Sequence, residues 1–254
     1  MKLGFPNNPK RCLAKEIEWI GSHGFDFVDL FLEESATTPD KIDCPKISDL
    51  LLKYNLERVG HTAWYLPIGS PMRTIREAAV KEAARYFEVF QKLGVRLVTI
   101  HAHWPGGGFS VKEGLAFQSE TLRKLVKTAK DYHLSLMYEP VDTSEDKVQN
   151  VTALLNEVDG LLFHLDIGHA NLWGRKPGEF IKALHGKLVH VHLHDNTRNM
   201  DLHLPMGCGT VDWEDTLKTL KYYYDGTITI EVFSRDRDYA LLTRDKVRKL
   251  WERF

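Results

Sequence analysis

Eight short runs rich in β-branched and aromatic residues alternate strictly with eight longer segments of helical periodicity along the 254-residue chain. The runs are KLGF (2–5), FDFVDLF (25–31), ERVGHT (57–62), RLVTIHA (96–102), SLMYE (135–139), LLFHLD (161–166), LVHVHLH (188–194) and TITIEVF (227–233). Helical patterns fall near 10–22, 45–54, 72–93, 111–132, 145–157, 177–185, 213–223 and 236–252. Strands joined through helices pair in parallel, and eight such units in about 250 residues close into a ring. The expected fold is α/β, a single-domain (β/α)8 TIM barrel over residues 1–254. An open doubly wound sheet would call for GxGxxG after the first strand, and none follows KLGF.

Local punctuation agrees with this division. Asp212 with Asp215 and Ser144 before Glu145 are expected N-terminal caps. Gly94 after Leu93 is an expected helix stop. Composition excludes several classes. A net charge of -1 gives no overall basic excess for nucleic acid, and no run of about 18 apolar residues implies a membrane span. Cys12, Cys44 and Cys208 lie far apart without a CxxC pair, so neither a disulfide framework nor a zinc knuckle is expected. The start MKLGFPNNPKRC lacks an apolar core of a secretory signal, and the expected location is cytoplasmic.

Side chains alternate across a strand, which sorts the residues by face. Val189, Val191 and Leu193 oppose His190, His192 and His194; Phe163 and Leu165 oppose His164 and Asp166; Ile228 and Ile230 oppose Thr227, Thr229 and Glu231. The apolar sets should meet the helices and the polar sets should line the barrel. Barrel active sites form at the C-terminal strand ends. The last inward residues there are His61, His101, Glu139, Asp166, His192 and Glu231, with His103, His169, Asp201 and His203 just beyond. Imidazoles and carboxylates are the ligands of borderline divalent cations, so their convergence points to a metal site.

An isolated buried histidine is more often a hydrogen-bonded core residue than a ligand. That reading suits His164 and His190, one pleat below the site. For Glu139 and Glu231 the cost of burying an unpaired carboxylate favours a cation, because no Arg or Lys sits at an inward strand end. The same lack of Lys argues against Schiff-base chemistry. His101 and His103 share a face; His101 is the expected ligand, with Trp104 and Gly106–Gly108 forming the loop beyond. That glycine run and Gly207-Cys208-Gly209 each read as a phosphate cradle or a plain turn. Trp64, Tyr65, Trp104, Trp173 and Phe233 follow strand ends and could wall a pocket against a sugar face, or simply pack there.

These residues resemble the xylose-isomerase-like, AP-endonuclease-family-2 barrels along essentially the whole chain. The landmarks are KLGF, GFDFVDL, GHTAWYLP (60–67), VTIHAHW (98–104), MYEP (137–140), HLDIGHA (164–170), HVHLHDN (190–196), DLHLPMGCGTVDW (201–213) and TITIEVF. The resemblance to sugar isomerases and epimerases implies one divalent metal (Mn, Zn, Co or Mg) on Glu139, Asp166, His192 and Glu231. It implies Glu139 and Glu231 as the proton-transfer pair, His169 as a substrate-binding residue, and a sugar or sugar phosphate as substrate. Trp64 and Trp104 are further expected substrate contacts. The resemblance to endonuclease IV implies instead up to three zinc ions, adding His61, His101, His169, Asp201 and His203, and abasic DNA as substrate. That branch reads GAHVSxxGG after the first strand, whereas this chain reads LGFPNNPKRC, which favours the sugar branch. No membrane partner is expected, and a homo-oligomer is left open.

Overall fold

The computed structural model describes residues 1–254. Its eight strands are β1 (Lys2–Pro6), β2 (Phe27–Phe31), β3 (Glu57–His61), β4 (Leu97–His101), β5 (Ser135–Glu139), β6 (Leu162–Asp166), β7 (Leu188–Leu193) and β8 (Thr227–Ile230). They form one closed barrel in sequence order, β8 pairing in parallel with β1 through Leu3↔Ile228. Eight helices follow the strands: α1 (Leu13–Ser22), α2 (Cys44–Lys53), α3 (Arg73–Lys92), α4 (Val111–Asp131), α5 (Val148–Glu157), α6 (Pro177–Leu184), α7 (Trp213–Tyr223) and α8 (Asp238–Glu252). No helix is long and apolar enough to cross a membrane.

Outward strand residues such as Val28, Leu30, Val98, Leu136, Phe163, Val191 and Ile228 are buried with helix residues such as Ile17, Leu51, Phe87, Phe90 and Leu122 in one core layer. Inside the barrel the floor is apolar. Phe27, Val59 and Met137 pack there, with Leu97, Leu162 and Val189 against them. Gly4 makes this floor possible, because a Cβ at that position would lie 2.3 Å from the Phe27 ring. Above the floor the interior turns polar, apart from the Phe31 ring stacked on His61.

Two local expectations need correction. Val189 packs with the interior trio rather than with Val191 and Leu193. Pairing passes from Phe163↔Leu188 to His164↔His190, so the register skips Val189 and the alternation breaks for one residue. Ser144 does not cap α5. That helix starts at Val148 without a side-chain cap, and the Ser144 hydroxyl is hydrogen-bonded to the Glu145 carboxylate. By contrast, the Asp212 side chain accepts from the Asp215 N–H at 3.1 Å, and Gly94 follows α3 with φ +71°.

Candidate active site

Strand order and parity bring the expected carboxylates and imidazoles to one end of the barrel. His192 Nδ1 is the meeting point. It lies 3.0 Å from Glu231 Oε2, 3.6 Å from Glu139 Oε1 and 3.8 Å from Asp166 Oδ2. On one side, His101 Nε2 is 2.9 Å and His61 Nε2 is 3.2 Å from Glu139 Oε2. On the other, Asp201 Oδ2 faces His203 Nε2 at 2.9 Å and His169 Nε2 at 3.4 Å. All nine acids and imidazoles therefore lie in one continuous cluster.

Three of the rings are oriented by backbone carbonyls, as would suit metal ligands. His61 Nδ1 donates to the Thr62 carbonyl at 2.9 Å, His169 Nδ1 to the Pro140 carbonyl at 2.9 Å, and His203 Nδ1 to the Glu231 carbonyl at 3.1 Å. In each ring the remaining nitrogen is left pointing at carboxylates. Such an outer acceptor fixes the tautomer of a metal-binding imidazole. Buried and fully enclosed, Glu139 Oε1 and Asp166 Oδ2 have no hydrogen-bond partner, nor does Asp201 Oδ1. A buried carboxylate oxygen without a partner costs several kcal/mol, which a cation between them removes. The donor set fits a divalent ion.

Sequence reading missed the residue that aims His192. Asp29, in the middle of β2 and fully buried, accepts at Oδ2 from His192 Nε2 (2.8 Å), Thr229 Oγ1 (2.9 Å) and His190 Nε2 (3.2 Å). It alternates with Phe27 and Phe31, so strict parity along FVDLF would have placed it inside. His194, on the inner face with His192, joins the cluster as well. Its Nε2 lies 3.0 Å from Asp166 Oδ1 and 3.5 Å from Asp201 Oδ1. Gly168 admits that ring, since a Cβ there would lie 1.9 Å from it.

Other residues lie beside or below the cluster. The His103 ring makes no carboxylate contact, and Trp104 does not line the cavity: its indole N–H donates to Asp146 Oδ1 at 2.9 Å. Trp64 and Phe233 do line it, whereas Trp173 donates to the Asp142 carbonyl and Tyr65 accepts at its hydroxyl from the Glu34 N–H. His164 and His190 stay below, as expected: His164 Nδ1 is 3.0 Å from Thr99 Oγ1, and His190 bonds Asp29 and Thr227. Gly207-Cys208-Gly209 is a turn, its Gly207 N–H donating to Asp195 Oδ2 at 2.9 Å. Neither glycine run borders the cavity, which encloses about 680 Å³ above the cluster, within the ordinary size of a small-molecule site.

Electrostatically the cluster is an alternation of opposite charges. Burial pushes the Glu139 carboxyl up, but His164, His101 and His192 outweigh it and hold the group well below the usual carboxylate range. Burial likewise opposes ionisation of Asp166, and His169 and His194 overcome it. The imidazoles respond in kind. Despite burial, Glu231 and Glu139 raise His192, and Asp166 and Asp201 raise His169. His203 rises from 6.5 to about 9, its desolvation outweighed by Glu231 and Asp201.

These protons stand where a metal would bind, so metal uptake must expel them. For the metal-free protein the raised His203 contributes stability that is complete below pH 6.5 and lost as pH rises through about 9, and His192 and His169 act in the same direction. His101, His103, His164 and His190, lowered mainly by burial, work the other way near pH 6.5 and cease to contribute once the unfolded rings are deprotonated, roughly one pH unit higher. Chelator-treated protein should therefore melt at progressively lower temperature from roughly pH 7.5 up to about 9. A melting temperature that stays level or climbs would contradict this charge assignment.

Comparison with known proteins follows the same lines. The family described as xylose isomerase-like TIM barrel matches residues 17–252. The uncharacterized protein MJ1311 of Methanocaldococcus jannaschii is 28% identical, over 86% of this chain and 78% of that protein. L-ribulose-5-phosphate 3-epimerase UlaE of Escherichia coli is 24% identical, over 88% of this chain and 83% of the enzyme. Among solved structures, a D-tagatose 3-epimerase-like protein superposes with a TM-score of 0.90 at 26% identity, over 99% and 97% of the two chains. The IolI protein, solved with a bound zinc atom, shares the fold at a TM-score of 0.81 and 17% identity, over 100% and 96% of the chains.

Proposed function

Because the chain belongs to the xylose isomerase-like TIM-barrel family, we propose that it is a divalent-cation-dependent epimerase or isomerase of a sugar or sugar phosphate. The observation that carries this reading is the convergence of Glu139, Asp166 and Glu231 on His192 Nδ1, with Glu139 Oε1 and Asp166 Oδ2 otherwise unsatisfied. These four residues would hold the ion. A bound Mn, Zn, Co or Mg ion supplies a Lewis acid for negative charge developing on a substrate carbonyl oxygen.

The chain's own groups do the proton work. Glu139 and Glu231 reach His192 from β5 and from the end of β8, so the two carboxylates face the substrate from different strands. One takes the proton from the carbon beside the carbonyl, and the electron pair of that C–H bond moves onto the carbonyl oxygen as an enediolate. The other, carrying a proton, returns it to the opposite face of that carbon, giving the epimer. Return to the former carbonyl carbon, while the neighbouring hydroxyl proton passes to the carbonyl oxygen, gives the isomer. The surrounding imidazoles keep Glu139 ionised at neutral pH, as a base must be. His169, held by Pro140 and facing Asp201, can fix a substrate hydroxyl, and Trp64 can cover the sugar face.

The direct test is proton exchange. In deuterated water the metal-loaded protein should introduce deuterium at the carbon next to the carbonyl of at least one ketose or ketose phosphate. No incorporation across a broad panel contradicts the proposal. A second reading rests on the two flanking groups, His61–His101–Glu139 and His169–His194–Asp201–His203. With all three places filled by zinc they would suit phosphodiester cleavage at abasic DNA sites. Elemental analysis separates the two: about one metal per chain accompanies the sugar enzyme and about three the nuclease, which should also nick an abasic duplex.

A further inference from the structure

The loops after β1 (7–12) and after β8 (231–237) adjoin on the rim, because those two strands pair. Together they place Lys10, Arg11, Arg235 and Arg237 on one wall of the cavity that opens above the carboxylate cluster. Arg237 is already committed: it forks onto Glu16, with Nη2 2.6 Å from Oε1. The other three are exposed and nearly free. Arg11 comes no closer than 4.0 Å to Glu16, and the side chains of Lys10 and Arg235 make no hydrogen bond or ion pair.

Their loop is not slack. The Asn7 side chain donates to the Phe31 carbonyl (3.0 Å) and accepts from the Phe31 N–H (2.8 Å). The Asn8 side chain accepts from the Lys10 N–H (2.9 Å), and the Asn8 N–H donates to Glu16 (3.1 Å). The helix that follows, α1, has Cys12 at its N-cap position and no side-chain cap. The acid near Lys10 is Glu33, whose carboxyl burial pushes toward the neutral form. In a chain of net charge -1, three cations on one lip that no neighbouring acid hydrogen-bonds are a local construction and not a consequence of composition.

We infer that this lip binds the phosphate of a phosphorylated ketose, so that the natural substrate carries a phosphate at the end remote from the reacting carbon. This rests on the epimerase reading and sharpens it. A phosphate monoester brings a charge of about -1.5 to -2 and three acceptor oxygens, matching Lys10, Arg11 and Arg235 better than a carboxylate does. A free sugar offers these cations nothing of opposite sign.

The test uses the full-length, metal-loaded protein and three ligands without a reactive carbonyl: ribitol 5-phosphate, ribitol and ribonate, titrated by calorimetry. Ribitol 5-phosphate should bind about thirtyfold more tightly than ribitol, the effect of one or two charge-assisted hydrogen bonds. In the Lys10→Ala/Arg235→Ala variant, both positions being exposed, that preference should fall to within about threefold. Equal binding of ribitol, equal binding of ribonate, or a phosphate preference that survives in the variant would each overturn the assignment. The epimerase reading is judged separately by deuterium exchange. Tight phosphate binding without exchange would sink the chemistry and leave the anion site standing. Exchange at equal kcat/KM in ribulose and ribulose 5-phosphate would do the reverse.

Discussion

Replacing either Glu139 or Glu231 with Gln is expected to lower proton exchange at the substrate carbon by about 10^3-fold or more. Gln keeps the shape and loses the charge, so the change removes a base while leaving the barrel intact. At Glu139 the loss is compounded, because Oε2 is shared by His101 (2.9 Å), His61 (3.2 Å) and His164 (3.3 Å) while Oε1 faces His192. An amide in that place removes the anion on which these rings converge. At Glu231 the carboxylate is the nearest anion to His192 Nδ1, at 3.0 Å. Deuterium incorporation followed by NMR, with a melting curve to confirm the fold, reads the result. Exchange retained at a tenth of the wild-type rate or more would remove that residue from the proton-transfer pair.

Asp29→Asn is expected to weaken divalent-metal affinity by up to about a hundredfold, the size of effect seen when an outer partner of a metal-binding histidine is changed. The reason is tautomeric. The carboxylate accepts from His192 Nε2–H, so the Nδ1 lone pair is directed at Glu139, Asp166 and Glu231. An Asn amide can donate to Nε2 instead, which moves the ring proton to Nδ1 and aims it into the metal position. Calorimetric titration of chelator-treated protein with Mn or Co measures the affinity, and the absorption bands of bound Co report the ligand geometry. Asp29→Glu should recover little, because the residue is fully enclosed among His190, His192 and Thr229. Unchanged affinity and spectrum in Asp29→Asn would reduce Asp29 to a packing role.

Much of this was legible in the order of residues, for a definite reason. In a closed parallel barrel one period-two alternation decides both what packs on the helices and what lines the interior, so His61, His101, Glu139, Asp166, His192 and Glu231 could be placed from parity alone. The alternation failed where the backbone departed from it, at the register skip by Val189. Asp29 was overlooked for a different reason. It lies mid-strand, between Val28 and Leu30, and its importance comes from a ring contributed 163 residues later. Long-range pairing of that kind leaves no local trace. Trp104 shows the limit for loops: its position after β4 suggested the cavity, but a hydrogen bond to Asp146 from the next loop turns it away.

Anomalous diffraction from crystals of the chain grown with Mn or Zn tests the proposed ion site most directly. The account predicts a strong peak coordinated jointly by Glu139, Asp166, His192 Nδ1 and Glu231. A structure in which those four side chains surround no ion, while metal binds elsewhere or not at all, would contradict it.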